Sequence, residues 1–76
     1  MIKIHLNLFV TLSKYLPENS ECFEIFENTS VEKLIFDLGI PLDFVKLIFI
    51  NGKRQDLNYQ LKHNDRVGLF PPVGGG

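Results

Sequence analysis

The residues best placed to do chemistry are the last seven, Phe70-Pro71-Pro72-Val73-Gly74-Gly75-Gly76. Glycine adds no packing and carries the largest chain entropy, so three in succession serve no core. Pro71 and Pro72 hold the backbone extended and semi-rigid, which projects Val73, Gly74, Gly75 and Gly76 away from the preceding domain. A peptide without side chains, ending in a carboxylate, threads into pockets too narrow for bulkier sequences. At up to about 3.5 Å per residue, the six residues after Phe70 reach roughly 20 Å, enough to enter a buried site in a partner. The reacting group nominated by this arrangement is the C-terminal carboxylate of Gly76.

Nothing else in the chain competes with it. His5 and His63 have no ligand-like spacing with Cys22 or a carboxylate pair, so no metal site is expected. Cys22 has no neighbour in sequence that would activate its thiolate and reads as a strand residue. Lys53, Arg54, Lys62 and Arg66 read as a solvated face, since no glycine-rich loop precedes a helix. The formal net charge of −1 argues against a nucleic-acid footprint or an electrostatic membrane anchor. No apolar run approaches the roughly 20 residues that span a bilayer, and Met1-Ile2-Lys3-Ile4 lacks a signal-peptide layout. A single cysteine forms no internal disulfide and suits a reducing compartment. With 45% hydrophobic residues and seven Phe among 76, the expectation is one small, soluble, cytoplasmic domain with an apolar core of its own.

Short elements must position the tail. Ile2, Ile4, Leu6 and Leu8 alternate with Lys3, His5 and Asn7, the period of a half-buried strand. Thr11 to Leu16 reads as a turn or short helix ending before Pro17. Residues 22–27 form a second strand, with Phe23 and Ile25 on one face. Thr29 or Ser30 caps a helix, and Thr29-x-x-Glu32 fits a capping box. Val31, Leu34, Ile35 and Leu38 make its apolar stripe; Gly39 and Pro41 end it. Leu47-Ile48-Phe49-Ile50 is a strand running into Asn51-Gly52, a strong hairpin signal, with a brief partner at 53–55. Leu57 and Leu61 anchor a polar connection, and residues 66–70 form the last strand. The order β-β-α-β-β predicts an α+β domain over residues 1–70, followed by an extended tail at 71–76. If the first strand pairs parallel with the last, the mixed sheet with one helix on one face is a β-grasp, ubiquitin-like roll.

The ending Phe-Pro-Pro-Val-Gly-Gly-Gly resembles the terminus of the MoaD/ThiS family of ubiquitin-like sulfur carriers, closest to MoaD, the small subunit of molybdopterin synthase. Asn51-Gly52, Leu61, Asp65-x-Val67 and Ser30-Val31-x-x-Leu34 carry the same resemblance over the whole chain. Gly74 stands where the family more often has a small side chain. Asn64 replaces a glycine before the aspartate, which a left-handed turn tolerates because Asn enters that region readily. The resemblance implies sulfur carriage, not enzymatic activity. An adenylyltransferase of the ubiquitin-activating type would spend ATP to adenylate Gly76, and a sulfur donor protein would convert the adenylate to a thiocarboxylate. A larger catalytic subunit would then consume the sulfur, with no cofactor bound to this chain. Carriage for thiamin thiazole synthesis or another thiolation pathway, and a ubiquitin-like protein modifier, share the same activation step.

A sheet with one helix leaves a face open. Leu47 and Phe49 point one way, Ile48 and Ile50 the other, so this strand is apolar on both sides. Phe70, with Ile48 or Phe49, is therefore expected to form a partner-binding patch. Phe36 also falls outside the helix's core stripe.

Overall fold

The structure, a computed structural model, describes residues 1–72. Strand β1 (Ile2–Leu8) alternates between buried and open positions as its sequence dictates, with Ile4, Leu6 and Leu8 inward. A 3-10 helix at Val10–Tyr15 drops Leu12 into the core. A second at Ser20–Cys22 leads into β2 (Phe23–Ile25), which is shorter than residues 22–27 because this helical turn occupies its start.

Helix α1 (Val31–Asp37) buries Val31, Leu34 and Ile35, the predicted stripe. Its cap differs from the expected box. The Ser30 hydroxyl accepts from Lys33 N–H (3.1 Å), whereas the Thr29 hydroxyl donates to Phe26 C=O (2.6 Å). With Ser30 at the cap, the third helical residue is Lys33, so Glu32 sits one position early for the reciprocal bond. Gly39 takes φ +78 after the helix, and Pro41 precedes a 3-10 turn at Leu42–Phe44. Strand β3 (Leu47–Ile50) turns through Asn51 (φ 55) and Gly52 (φ 83) into β4 (Lys53–Arg54). Both turn residues are left-handed, as a type I′ hairpin requires. Strand β5 (Arg66–Phe70) closes the sheet.

The sheet order is β2-β1-β5-β3-β4. Strand β1 runs parallel to β5 from His5–Arg66 to Leu8–Leu69, and every other pairing is antiparallel. This is the β-grasp roll. Side chains of Ile4, Leu6, Ile25, Ile48, Ile50, Val67 and Leu69 point to the helix side and join Leu12, Val31, Leu34, Ile35, Ile40 and Leu61 in one core.

The buried polar side chain of this core belongs to Asp65, 5% exposed. Its carboxylate accepts from Asn51 Nδ2 (2.8 Å), Lys62 N–H (2.8 Å) and Tyr59 O–H (3.3 Å). Asn51 Oδ1 accepts in turn from Arg66 N–H (2.9 Å). The carboxylate thereby ties the β3–β4 turn to the turn at 62–65, where Asn64 adopts φ 70, the left-handed conformation expected of it. Burial, then the Asp65 charge and its hydrogen bond, push the Tyr59 phenol above the usual tyrosine range.

Two outcomes follow. Three donors converge on Asp65, and only an acceptor-only group serves them all, so Asp65→Asn should cost about 2 kcal/mol in urea unfolding. Because the Tyr59 pKa is raised in the folded state, its contribution is complete below the unfolded value near 10 and is lost as pH climbs above it. Urea midpoints of the parent chain should therefore fall above about pH 10 more steeply than those of Tyr59→Phe.

Candidate functional site

The open face of the sheet carries Lys3, His5 and Asn7 from β1, Glu24 from β2, Leu47 and Phe49 from β3, Arg54 from β4, and Arg66, Gly68 and Phe70 from β5. The strand register places all of these on one side. The 3-10 turn at Leu42–Phe44 packs beside α1 and does not cover this face. The middle of the face is aromatic. The Phe70 ring stacks on Phe9 at 4.2 Å between centroids and 5° between planes, and Phe49 meets Phe70 edge-on at 5.6 Å and 79°. Such pairs add about 1 kcal/mol each beyond area burial.

Gly68 lies beneath the rings, at ordinary contact distance. A Cβ there would lie 3.4 Å from Phe9 Cε2 and 3.7 Å from Phe70 Cε1. The rings close over the strand, leaving a shallow depression of about 320 Å³ bounded by Phe9, Phe49, Gly52, Arg66 and Phe70. Arg66 is the charged residue that lines it, and Lys3 and Arg54 share the face with a single carboxylate, Glu24.

Main-chain bonds clamp the root of the tail from both sides. Phe9 N–H donates to Leu69 C=O (3.1 Å), and Lys46 N–H donates to Phe70 C=O (2.7 Å). Pro71 is half-buried and Pro72 exposed. Val73, Gly74, Gly75 and Gly76 lie outside the described residues.

Of the residues expected to bind a partner, Phe70 and Phe49 sit together in the depression. Ile48 does not: it is 7% exposed and belongs to the core, because the helix covers the even-numbered side of β3. This corrects its assignment to the patch. Phe36 is 77% exposed on the outer side of α1, away from the aromatic cluster. Phe9 was not anticipated. Its signal was present, since Lys3, His5, Asn7 and Phe9 continue one alternation, but the ring is placed only by the stacking on Phe70.

Phe9 is followed by strain. Val10 adopts φ 54 and is 74% exposed. A β-branched residue resists this conformation by about 1–2 kcal/mol. The reversal at Val10 carries the chain out of β1 into the 3-10 helix and leaves Phe9 on the open face. Among the described residues, no three His, Cys, Asp or Glu side chains gather as a metal site, and no helix is long and apolar enough to cross a membrane.

Val10→Asn should raise stability by about 1 kcal/mol, measured by urea unfolding, while leaving the Phe9 ring in place. Gly68→Val should separate Phe9 from Phe70 and abolish the upfield ring-current shifts of both rings in proton NMR.

Comparison with known proteins agrees with this architecture. The crystal structure of SAMP1 from Haloferax volcanii is similar at a TM-score of 0.66, covering 97% of this chain and 99% of that one at 22% identity. No curated protein gives a significant match. A family model described as Mut7-C ubiquitin matches residues 1–74. The fold is ubiquitin-like, and the chain belongs to the Mut7-C ubiquitin family.

Proposed function

We propose that this chain is a sulfur carrier whose C-terminal carboxylate, on Gly76, is the working group. The observation that carries the reading is the aromatic cluster of Phe9, Phe49 and Phe70 at the clamped root of the tail. A partner that grips this face receives the tail at a defined point. Residues 1–70 act as the handle and residues 71–76 as the arm. Pro71 and Pro72 aim it, and Val73, Gly74 and Gly75 form its slim approach.

The bare carboxylate is a poor electrophile, so it must first be activated. An adenylyltransferase of the ubiquitin-activating type would bring the Gly76 carboxylate against the α-phosphorus of ATP, forming the acyl-adenylate as pyrophosphate leaves. Sulfide released by a sulfur donor protein would then attack the acyl carbon and displace AMP, leaving a thiocarboxylate. A larger catalytic subunit would take up the sulfur in molybdopterin synthesis, the pathway favoured by the Phe-Pro-Pro-Val lead. The setting proposed is the cytoplasm. The chain itself needs no cofactor for this, because the partners supply ATP, the sulfur and the catalytic groups. Arg66 at the depression, with Lys3 and Arg54 elsewhere on the same face, favours partners with carboxylates around an apolar contact.

The same activated Gly76 could instead supply another thiolation pathway, including thiazole synthesis, or acylate lysines of target proteins. The name of the family, which joins ubiquitin to Mut7-C, favours one further reading, a docking module that works through its open face without activation.

Intact-mass spectrometry of the protein from its native host separates these. Replacement of one oxygen by sulfur at Gly76 is the expected result. Lysine adducts of higher mass would establish a modifier, and an unmodified terminus would leave the docking module. Deleting Gly76 should abolish adenylation. Phe49→Asp or Phe70→Asp should abolish capture of the activating partner in a pull-down, with circular dichroism unchanged.

A further inference from the structure

The two edges of the sheet carry opposite charge. Between residues 15 and 29, through β2, there are four Glu and no Lys, Arg or His. The β4 edge itself is Lys53–Arg54, with Asp56 and Glu32 near its end. We propose that copies of this chain associate head to tail, the β2 edge of one against the β4 edge of the next, so that the sheet continues from copy to copy.

The hydrogen bonding on each edge leaves the required groups free. Lys3 turns its N–H and C=O away from β2, where His63 Nδ1 accepts at 3.1 Å and Asn64 N–H donates at 2.7 Å. The Lys3–Glu24 pair is thus one without mutual hydrogen bonds, and the N–H and C=O of Glu24 point outward from the sheet. At the other edge, Gln55 N–H donates to Ile48 C=O (3.0 Å) and the hairpin closes at Ile50–Lys53. Arg54, between them, also points its N–H and C=O outward.

Direction and face agree as well. The pairing senses make β2 antiparallel to β4, so a translated copy presents an antiparallel edge. Glu24 shares its side of the sheet with Lys3, and Arg54 shares the same side with Phe49. Setting Glu24 of one copy opposite Arg54 of the next closes two main-chain hydrogen bonds and one cross-strand ion pair. The same register brings Phe26, 74% exposed, toward Gly52 of the neighbour, at the rim of the aromatic depression.

Like edges repel: β2 on β2 opposes glutamates, and β4 on β4 opposes Lys53 and Arg54. The contact that remains is heterologous and does not close on itself, and because the edge strands are three and two residues long it is weak.

Sedimentation velocity over a rising concentration series in low salt tests the idea. The expected result is a weight-average mass that climbs with concentration and falls when salt is added, with amide NMR shifts at Glu24 and Arg54. Glu24→Arg or Arg54→Glu alone should weaken association about tenfold. An equimolar mixture of the two, or both changes in one chain, should restore it. A constant monomer mass would overturn the proposal. So would association that survives both single changes, or that is lost only with Phe49→Asp, which would assign it to the aromatic face.

Discussion

The parallel ladder from His5–Arg66 to Leu8–Leu69 places the first and last strands side by side in the middle of the sheet. One strand then extends the sheet beyond β1 and two beyond β5, and α1, the one α-helix among the described residues and seven residues long, covers one face of them. The inward residues of β1, β3 and β5 find their core beneath α1. The outward ones have no second layer, so Phe49 and Phe70 cover one another, and Phe9 is drawn in from beyond the end of β1. The tail consequently leaves from a central strand, flanked by Phe9 on one side and Lys46 on the other. In an edge strand the same residues would have had one neighbour and a freer exit.

Such a sheet works only in one register, since a slip of one residue exchanges its two faces. Asp65 enforces that register where β5 begins. Its carboxylate gathers Asn51, Lys62 and Tyr59, and its C=O accepts from His5 N–H (2.9 Å). One residue thus touches the β3–β4 turn, the preceding loop and β1. The cost of burying a charge is offset by donors held in place by two left-handed asparagines, Asn51 and Asn64.

Much of this was legible in the residues. The alternation of β1, the Asn51-Gly52 turn, the α1 stripe and the Gly39 stop are local signals, and each produced its element. The β1–β5 pairing is non-local, and only the order of elements hinted at it. Of the two residues able to cap the helix, Ser30 does so, and only the Thr29–Glu32 box fails, because Glu32 is then one position short of the reciprocal bond. Ile48 was assigned to the open face because β3 is apolar on both sides, so alternation could not say which side the helix covers. Asp65 read as the end of a polar connection, and its burial depends on donors from Asn51, Tyr59 and Lys62. Phe9 escaped because its stacking partner lies 61 residues away in sequence, from 9 to 70.

The central position of β5 has a consequence for synthesis. Residues 66–70 are made after the other four strands, yet β1 and β3 both wait for them. Until they arrive, Val67 and Leu69 are missing from the core, Gly68 gives the rings no floor, and Phe9 has nothing to stack on. Loop closure across nearly the whole chain must precede these contacts, which makes the final step cooperative. The aromatic surface is therefore a certificate of completion, displayed only by a molecule whose last strand has entered its place.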